Sequence, residues 1–170
     1  MDRIITVYFS RKGQNYWAGQ VKELAKGNTE RVAEYVQEAV GGDIFEVETV
    51  EDYPADYYAC TDVAKRELNE DARPVVKALP DLDAYDVIYV GYPNWWGTMP
   101  MAMFTVLESF DLSGKRIAPF CTNEGSGMGS SERDLKCVCP GATVEPGLSI
   151  PGHRAEGSRA EVAAWAKRYV

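Results

Sequence analysis

Several stretches of the 170-residue chain are apolar and rich in β-branched or aromatic residues. Ile4-Ile5-Thr6-Val7-Tyr8-Phe9, Val87-Ile88-Tyr89-Val90 and Ile117-Ala118-Pro119-Phe120-Cys121 run almost without a polar break. Continuous runs of this kind predict parallel strands covered on both faces. Ile44-Phe45-Glu46-Val47-Glu48-Thr49-Val50 alternates instead, which predicts a strand nearer a sheet edge. A weaker fifth run spans 143–150 and is broken by Pro146-Gly147. Pro119 has no N–H to give a ladder, so it must lie where that loss is harmless.

Helical spacing fills the gaps between these runs. Val32, Ala33, Val36 and Val40 form a stripe after Asn28-Thr29, and Gly41-Gly42 stops it. Residues 61–72 predict a second helix, ended by Pro74. Pro100 suits the first turn of a third, which buries Met103, Phe104, Val106, Leu107 and Phe110. A shorter helix covers 130–138. The last carries a capping box, Ser158-x-x-Glu161, ahead of Val162, Trp165, Ala166 and Tyr169. Strands and helices alternate with no linker and no repeat. The chain therefore predicts one α/β domain over 1–170, a doubly wound five-stranded parallel sheet with right-handed crossovers. Ligands of such sheets bind beyond the carboxyl ends of the strands, where the strand order reverses.

Composition narrows the function classes. Lys and Arg number 18 against 26 Asp and Glu, a net charge of −8. Nucleic acids and anionic membranes both select basic faces, so neither partner is expected, whereas a basic partner is. No apolar run reaches the roughly 20 residues of a membrane span. The first strand starts at Ile4, which leaves no room for a signal peptide, so a cytoplasmic protein is expected. Cys60, Cys121, Cys137 and Cys139 are then expected to be reduced. Cys137-Val138-Cys139 is not a C-x-x-C pair and His153 is the only histidine. No metal site and no histidine-activated nucleophile is expected.

The candidate chemistry sits in three loops after the first, third and fourth strands. In the first, Gly27-Asn28-Thr29 opens a helix whose start offers free N–H groups and about half a positive charge. Gly27 admits a close ligand, and Ser10, Asn28 and Thr29 add polar groups, which together suit a phosphate. The same Asn28-Thr29 also reads as an ordinary helix cap. The stretch from Arg11 to Lys26 is long for such a loop. Tyr16-Trp17-Ala18-Gly19 fits a small hairpin over the site, bringing Lys12 and Asn15 toward the anion; a solvated excursion is the other reading. The second loop carries Pro93-Asn94-Trp95-Trp96-Gly97. Neighbouring strand residues point opposite ways, so at least one tryptophan is expected to face the cleft, where it can stack on a planar ring; both packing on neighbouring helices is the other reading. In the third, Thr122-Asn123-Glu124-Gly125-Ser126-Gly127 has donors suited to the polar edge of a heterocycle; taken by itself it also reads as an ordinary turn.

VYFSR…GNTERVAEYV, YPNWWGTMP and TNEGSG, in that order, resemble the phosphate loop and the two ring loops of the flavodoxin family. The likeness spans nearly the whole chain. The departure is the stretch between Ser10 and Gly27, where the family commonly has only a few residues. The resemblance implies strand order 2-1-3-4-5 and bound FMN. Its phosphate would meet Ser10, Arg11, Lys12, Asn15, Asn28 and Thr29. Its ring would lie by Pro93, Asn94, Trp95, Trp96 and Gly97, with Trp95 on the ring face. The far edge would meet Thr122, Asn123, Glu124, Gly125, Ser126 and Gly127. The implied role is an electron carrier between redox proteins that dock through basic faces. The alternative is an FMN-dependent NAD(P)H:quinone-type oxidoreductase. Crowding of the cleft by both tryptophans and a Tyr16-Trp17 lid favours the carrier.

Overall fold

The computed structural model describes residues 1–170. Along the chain run β1 (Ile4–Tyr8), β2 (Gly13–Trp17), β3 (Gln20–Leu24), α1 (Asn28–Val40), β4 (Asp43–Glu46), α2 (Tyr57–Asn69) and β5 (Val87–Pro93). Then come α3 (Met101–Leu107), β6 (Arg116–Asn123), α4 (Ser131–Val138), β7 (Thr143–Val144), β8 (Leu148–Pro151) and α5 (Arg159–Ala166). The main sheet is parallel, in the order β4-β1-β5-β6-β7, and β8 pairs with β6 beyond β7. With β7 and β8 counted as halves of one fifth strand, this is the order 2-1-3-4-5. No helix is long and apolar enough to cross a membrane.

Side-chain alternation explains why the central runs are continuous. Ile5, Val7 and Phe9 join one core with Ile88, Val90, Tyr92, Ile117 and Cys121, covered by α3 and by Leu135 of α4. Tyr8, Val87, Tyr89, Ala118 and Phe120 point the other way, onto Val32 and Val36 of α1 and Val162 and Trp165 of α5. Each strand therefore feeds two cores, and neither face tolerates a polar set.

Pro119 is accommodated by the break in the fifth strand. The N–H groups of Thr143 and Glu145 donate to the carbonyls of Lys115 and Ile117. Odd-numbered residues of β6 thus turn their polar groups toward the fifth strand. Pro119 is next in that set, and it falls between the partners of β7 and β8, opposite Pro146-Gly147. Its missing donor faces a gap in the ladder.

The helix and strand limits differ from expectation in places. The second helix starts at Tyr57, four residues early, because Asp56 caps it: Asp56 Oδ2 accepts from the Ala59 N–H at 2.9 Å. The alternating second strand stops at Glu46, and Thr49 forms only an isolated bridge to Val76. The third helix ends at Leu107, short of Phe110. The capping box does not form. Ser158 precedes α5, but its hydroxyl donates to the Ala155 carbonyl at 2.7 Å instead of taking a helix N–H.

Candidate functional site

A cleft of about 540 Å³ opens at the carboxyl ends of β1, β5 and β6, within the usual range of roughly 300–1,000 Å³ for ligand sites. It lies where β1 leads out to both sheet neighbours, the reversal point of the strand order. All three loops singled out by the sequence reach it. Arg11, Asn15, Asn28, Thr29, Pro93, Asn94, Trp95, Trp96, Gly97, Thr122, Asn123, Glu124 and Ser126 line it. Ser10, Lys12, Gly125 and Gly127 do not.

At the floor, α1 points its first turn into the cleft. Ser10 Oγ accepts from the Glu30 N–H at 3.1 Å, so Ser10, just past the end of β1, caps the helix and is not among the residues lining the cavity. The N–H groups of Asn28 and Thr29 precede the first turn's carbonyl partners and have no acceptor inside the helix. The Thr29 and Thr122 hydroxyls meet at 2.7 Å, tying α1 to the end of β6. Gly27 is required by packing: a Cβ there would overlap Ser10 Oγ and stand 2.7 Å from the Arg11 carbonyl oxygen.

The expanded first loop is a hairpin. β2 and β3 pair from Gly13–Leu24 to Trp17–Gln20, and Ala18 and Gly19 turn with φ of 48° and 91°. It is bound to α2 and does not lie as a free flap. Arg11 Nη2 donates to the Pro54 and Ala55 carbonyls at 2.9 and 3.0 Å, and its Nε donates to the Gln14 carbonyl at 2.9 Å. Gln14 Oε1 accepts the Tyr57 N–H at 2.7 Å, at the start of α2. Tyr16 lines the cleft and stands 6.0 Å from the Tyr57 ring. Trp17 turns away, under Lys22 Nζ at 4.3 Å, so half of the expected aromatic lid is absent from the cleft. Lys12 is also turned away. It faces a second groove with Glu46, Glu48 and Asp52, where its charge pulls down the Glu46 carboxyl against the larger, raising effect of burial.

The tryptophans have different settings. Trp95 is wedged edge-to-face against Phe9 at 5.1 Å and Tyr53 at 5.0 Å. Trp96 is 50% exposed and lies across α2: its Nε1 donates to the Thr61 carbonyl at 2.9 Å, with Lys65 Nζ 4.8 Å from its ring. Trp95 and Thr98 exchange backbone hydrogen bonds around a two-residue turn, with φ of 57° at Trp96 and 90° at Gly97. Both central residues are left-handed, as in a type I′ turn. Gly97 suits that conformation and Trp96 does not. Asn94 fixes the turn, because its Oδ1 accepts the Gly97 N–H at 2.8 Å. Its Nδ2 donates to the Gly127 carbonyl at 2.9 Å, stitching the second loop to the third. Gly127 thus supports the site from behind. Gly125 closes a turn on Asn123 Oδ1 at 3.0 Å.

Helix α2 supplies a wall that the sequence reading missed: Tyr57, Tyr58, Cys60, Thr61 and Ala64. The usable signal was Tyr57, Thr61 and Ala64, spaced along one helical face behind the Asp56 cap. Burial pushes the Cys60 thiol up, so it stays protonated and acts as apolar lining. Opposite α2, Glu124 Oε2 meets His153 Nδ1 at 2.7 Å, while Glu124 Oε1 is buried with no hydrogen-bond partner. The cleft is therefore anion-accepting at its floor and aromatic toward its mouth. Arg11 is the only Lys or Arg that lines it.

A flavodoxin family model matches residues 22–169, starting inside the hairpin and running to the last turn of the chain. Flavodoxin 1 of Escherichia coli K12 is 28% identical over 137 residues, which cover 75% of this chain and 61% of that relative. The chain thus spans about three-fifths of the length of the curated relatives it matches. A candidate flavoprotein from Bacteroides uniformis superposes with a TM-score of 0.78 at 30% identity, over 98% of both chains. A flavoprotein from Lactobacillus acidophilus in complex with FMN shares the fold, with a TM-score of 0.69 at 20% identity over 98% of this chain and 99% of that one.

Proposed function

The chain belongs to the flavodoxin family, and on that premise we propose that it binds FMN in this cleft and carries single electrons between redox proteins. The cleft suits the cofactor by its own chemistry. The free N–H groups of Asn28 and Thr29, at the positive end of α1, are what a phosphate needs. Gly152 lines the cleft, where a Cβ would run into the Asn28 amide and crowd Glu124 Oε1. Trp95, Trp96, Tyr57 and Tyr58 offer flat apolar surface to a tricyclic ring. Bound there, FMN supplies one-electron chemistry. The protein supplies position: Phe9 and Tyr53 hold Trp95 rigid, Asn94 fixes the backbone at Gly97, and Cys60 and Ala64 keep water from the inner wall.

The observation that carries the electron-carrier reading is the state of the cleft's one cation. Three hydrogen bonds commit the Arg11 guanidinium to backbone carbonyls, and Lys12 faces another groove. Little positive charge is left for the second phosphate of a nicotinamide dinucleotide. The net charge of −8 also suits a basic protein partner over an anionic cofactor. The oxidoreductase reading draws on one feature, the exposed rings of Tyr58 (62%) and Trp96 (50%), which leave aromatic surface at the mouth for a second planar ligand. Steady-state oxidation of NADH or NADPH by the FMN-loaded protein, with a quinone as acceptor, separates the two. The carrier reading expects only slow background oxidation beside rapid reduction by a flavodoxin reductase. Turnover of about 1 per second or faster, in the ordinary enzyme range, overturns it.

A further inference from the structure

Two buried side-chain oxygens have no hydrogen-bond partner, Thr6 Oγ1 and Glu124 Oε1. Thr6 lies inside β1 between two strands and lines neither the cleft nor the second groove. Glu124 lines the cleft. Its side chain is only 15% exposed, and its other oxygen is held by His153 at 2.7 Å. A carboxylate oxygen is acceptor-only, and burying one unpaired is costly, so this atom calls for a donor from outside the protein.

Its surroundings narrow the kind of donor. A Cβ placed on Gly152 would overlap Asn28 Nδ2 and lie 3.3 Å from Glu124 Oε1. The Asn28 amide and the Glu124 carboxylate therefore lie side by side against Gly152, and all three border the same part of the cleft space. That space adjoins the start of α1, the anion-accepting end, and not the tryptophan end. A negative oxygen beside an anion site is suited to a neutral hydroxyl and unsuited to the phosphate itself. FMN has such groups between its phosphate and its ring, the hydroxyls of the polyol chain.

We propose that Glu124 Oε1 accepts a hydrogen bond from a polyol hydroxyl of the bound flavin, and that His153 is the positioning residue that holds the carboxylate there. The inference rests on the FMN reading above, and its test separates the two. Dissociation constants would be measured by fluorescence for FMN, riboflavin and lumiflavin, which differ in having phosphate and polyol, polyol alone, and neither. Glu124→Ala is expected to weaken FMN and riboflavin by roughly tenfold or more, the usual loss for a hydrogen bond to a charged acceptor, and to leave lumiflavin unchanged. Glu124→Gln keeps an acceptor and removes the charge. It is expected to retain riboflavin affinity and to bind FMN at least as tightly as the parent chain. His153→Ala is expected to weaken FMN and riboflavin alike and to leave lumiflavin unchanged, because the carboxylate is no longer held in place. His153→Asn, which keeps a donor, should recover part of the loss. Equal weakening of all three flavins in Glu124→Ala, or no weakening of any, overturns the Glu124 assignment alone. A parent chain that stays folded and binds none of the three overturns the FMN reading and this inference with it.

Discussion

Trp96 holds a conformation that a bulky side chain resists, and the penalty is measurable. Its φ is 57° in the turn after β5, a left-handed conformation that costs non-glycine residues about 1–2 kcal/mol. Two contacts of the indole offset this. The Nε1 hydrogen bond to the Thr61 carbonyl contributes about 0.5–1.5 kcal/mol. The Lys65 ammonium over the ring adds about 0.5–1 kcal/mol at such an exposed site. Trp96→Ala loses both contacts and keeps the backbone penalty, so it is expected to destabilise the flavin-free chain by about 1–2 kcal/mol. Trp96→Asn loses the same contacts but creates Asn-Gly, the pair best suited to a type I′ turn. It is expected to be more stable than Trp96→Ala by about 1 kcal/mol, or roughly 2–4 °C in midpoint for a chain of this size. Urea and thermal unfolding of the parent and both variants give the comparison. If Asn at this position is no more stable than Ala, the turn holds no such strain and Trp96 is not an aromatic kept at the cleft mouth against its backbone preference.

Other perturbations test separate parts of the account. Asp56→Ala removes the side-chain cap of α2 and is expected to lower stability by about 1 kcal/mol in urea unfolding; because α2 forms one wall of the cleft, flavin affinity should fall with it. Trp165→Ala empties the centre of the α1–α5 core, where the indole packs on Tyr89, Phe120 and Tyr169, and is expected to cost about 3–5 kcal/mol. Burial holds the Glu67 carboxyl above its ordinary range, against the smaller, lowering effect of the hydrogen bond from Tyr53. A raised folded pKa favours folding below the unfolded value and loses that contribution as pH rises through the folded one. Glu67→Gln is therefore expected to stabilise the chain at neutral pH, and the gain should vanish below the ordinary carboxylate pKa of about 4.3; a gain that grew toward acid pH would contradict the sign.

The fold was legible because the central strands are buried on both faces, so β1, β5 and β6 leave continuous apolar runs that loops do not imitate. Even the awkward Pro119 and the Pro146-Gly147 break were two halves of one feature. The sequence marked the three loops for the same reason: glycines, paired tryptophans and a polar helix start are unusual just where strands end. It did not show which way long side chains leave those loops. Lys12 and Trp17 were expected at the site, but they follow partners that pattern cannot name, the Glu46–Asp52 groove and Lys22. The wall from α2 was missed because its place is set by tertiary bonds from Arg11 and Gln14 to the segment at 54–57. The Glu124–His153 pair joins residues 29 positions apart on separate loops, which no local spacing reveals.

The central claim is that the cleft over α1 takes one FMN, and a titration tests it directly. The purified chain would be freed of any flavin, checked for retained fold by circular dichroism, and added to FMN while emission is followed. The account predicts saturation at one FMN per chain, with emission quenched by the surrounding aromatic rings and with Thr29→Glu, which puts a negative charge at the start of α1, abolishing binding. A folded chain that leaves FMN emission unchanged and retains no flavin on gel filtration would contradict it.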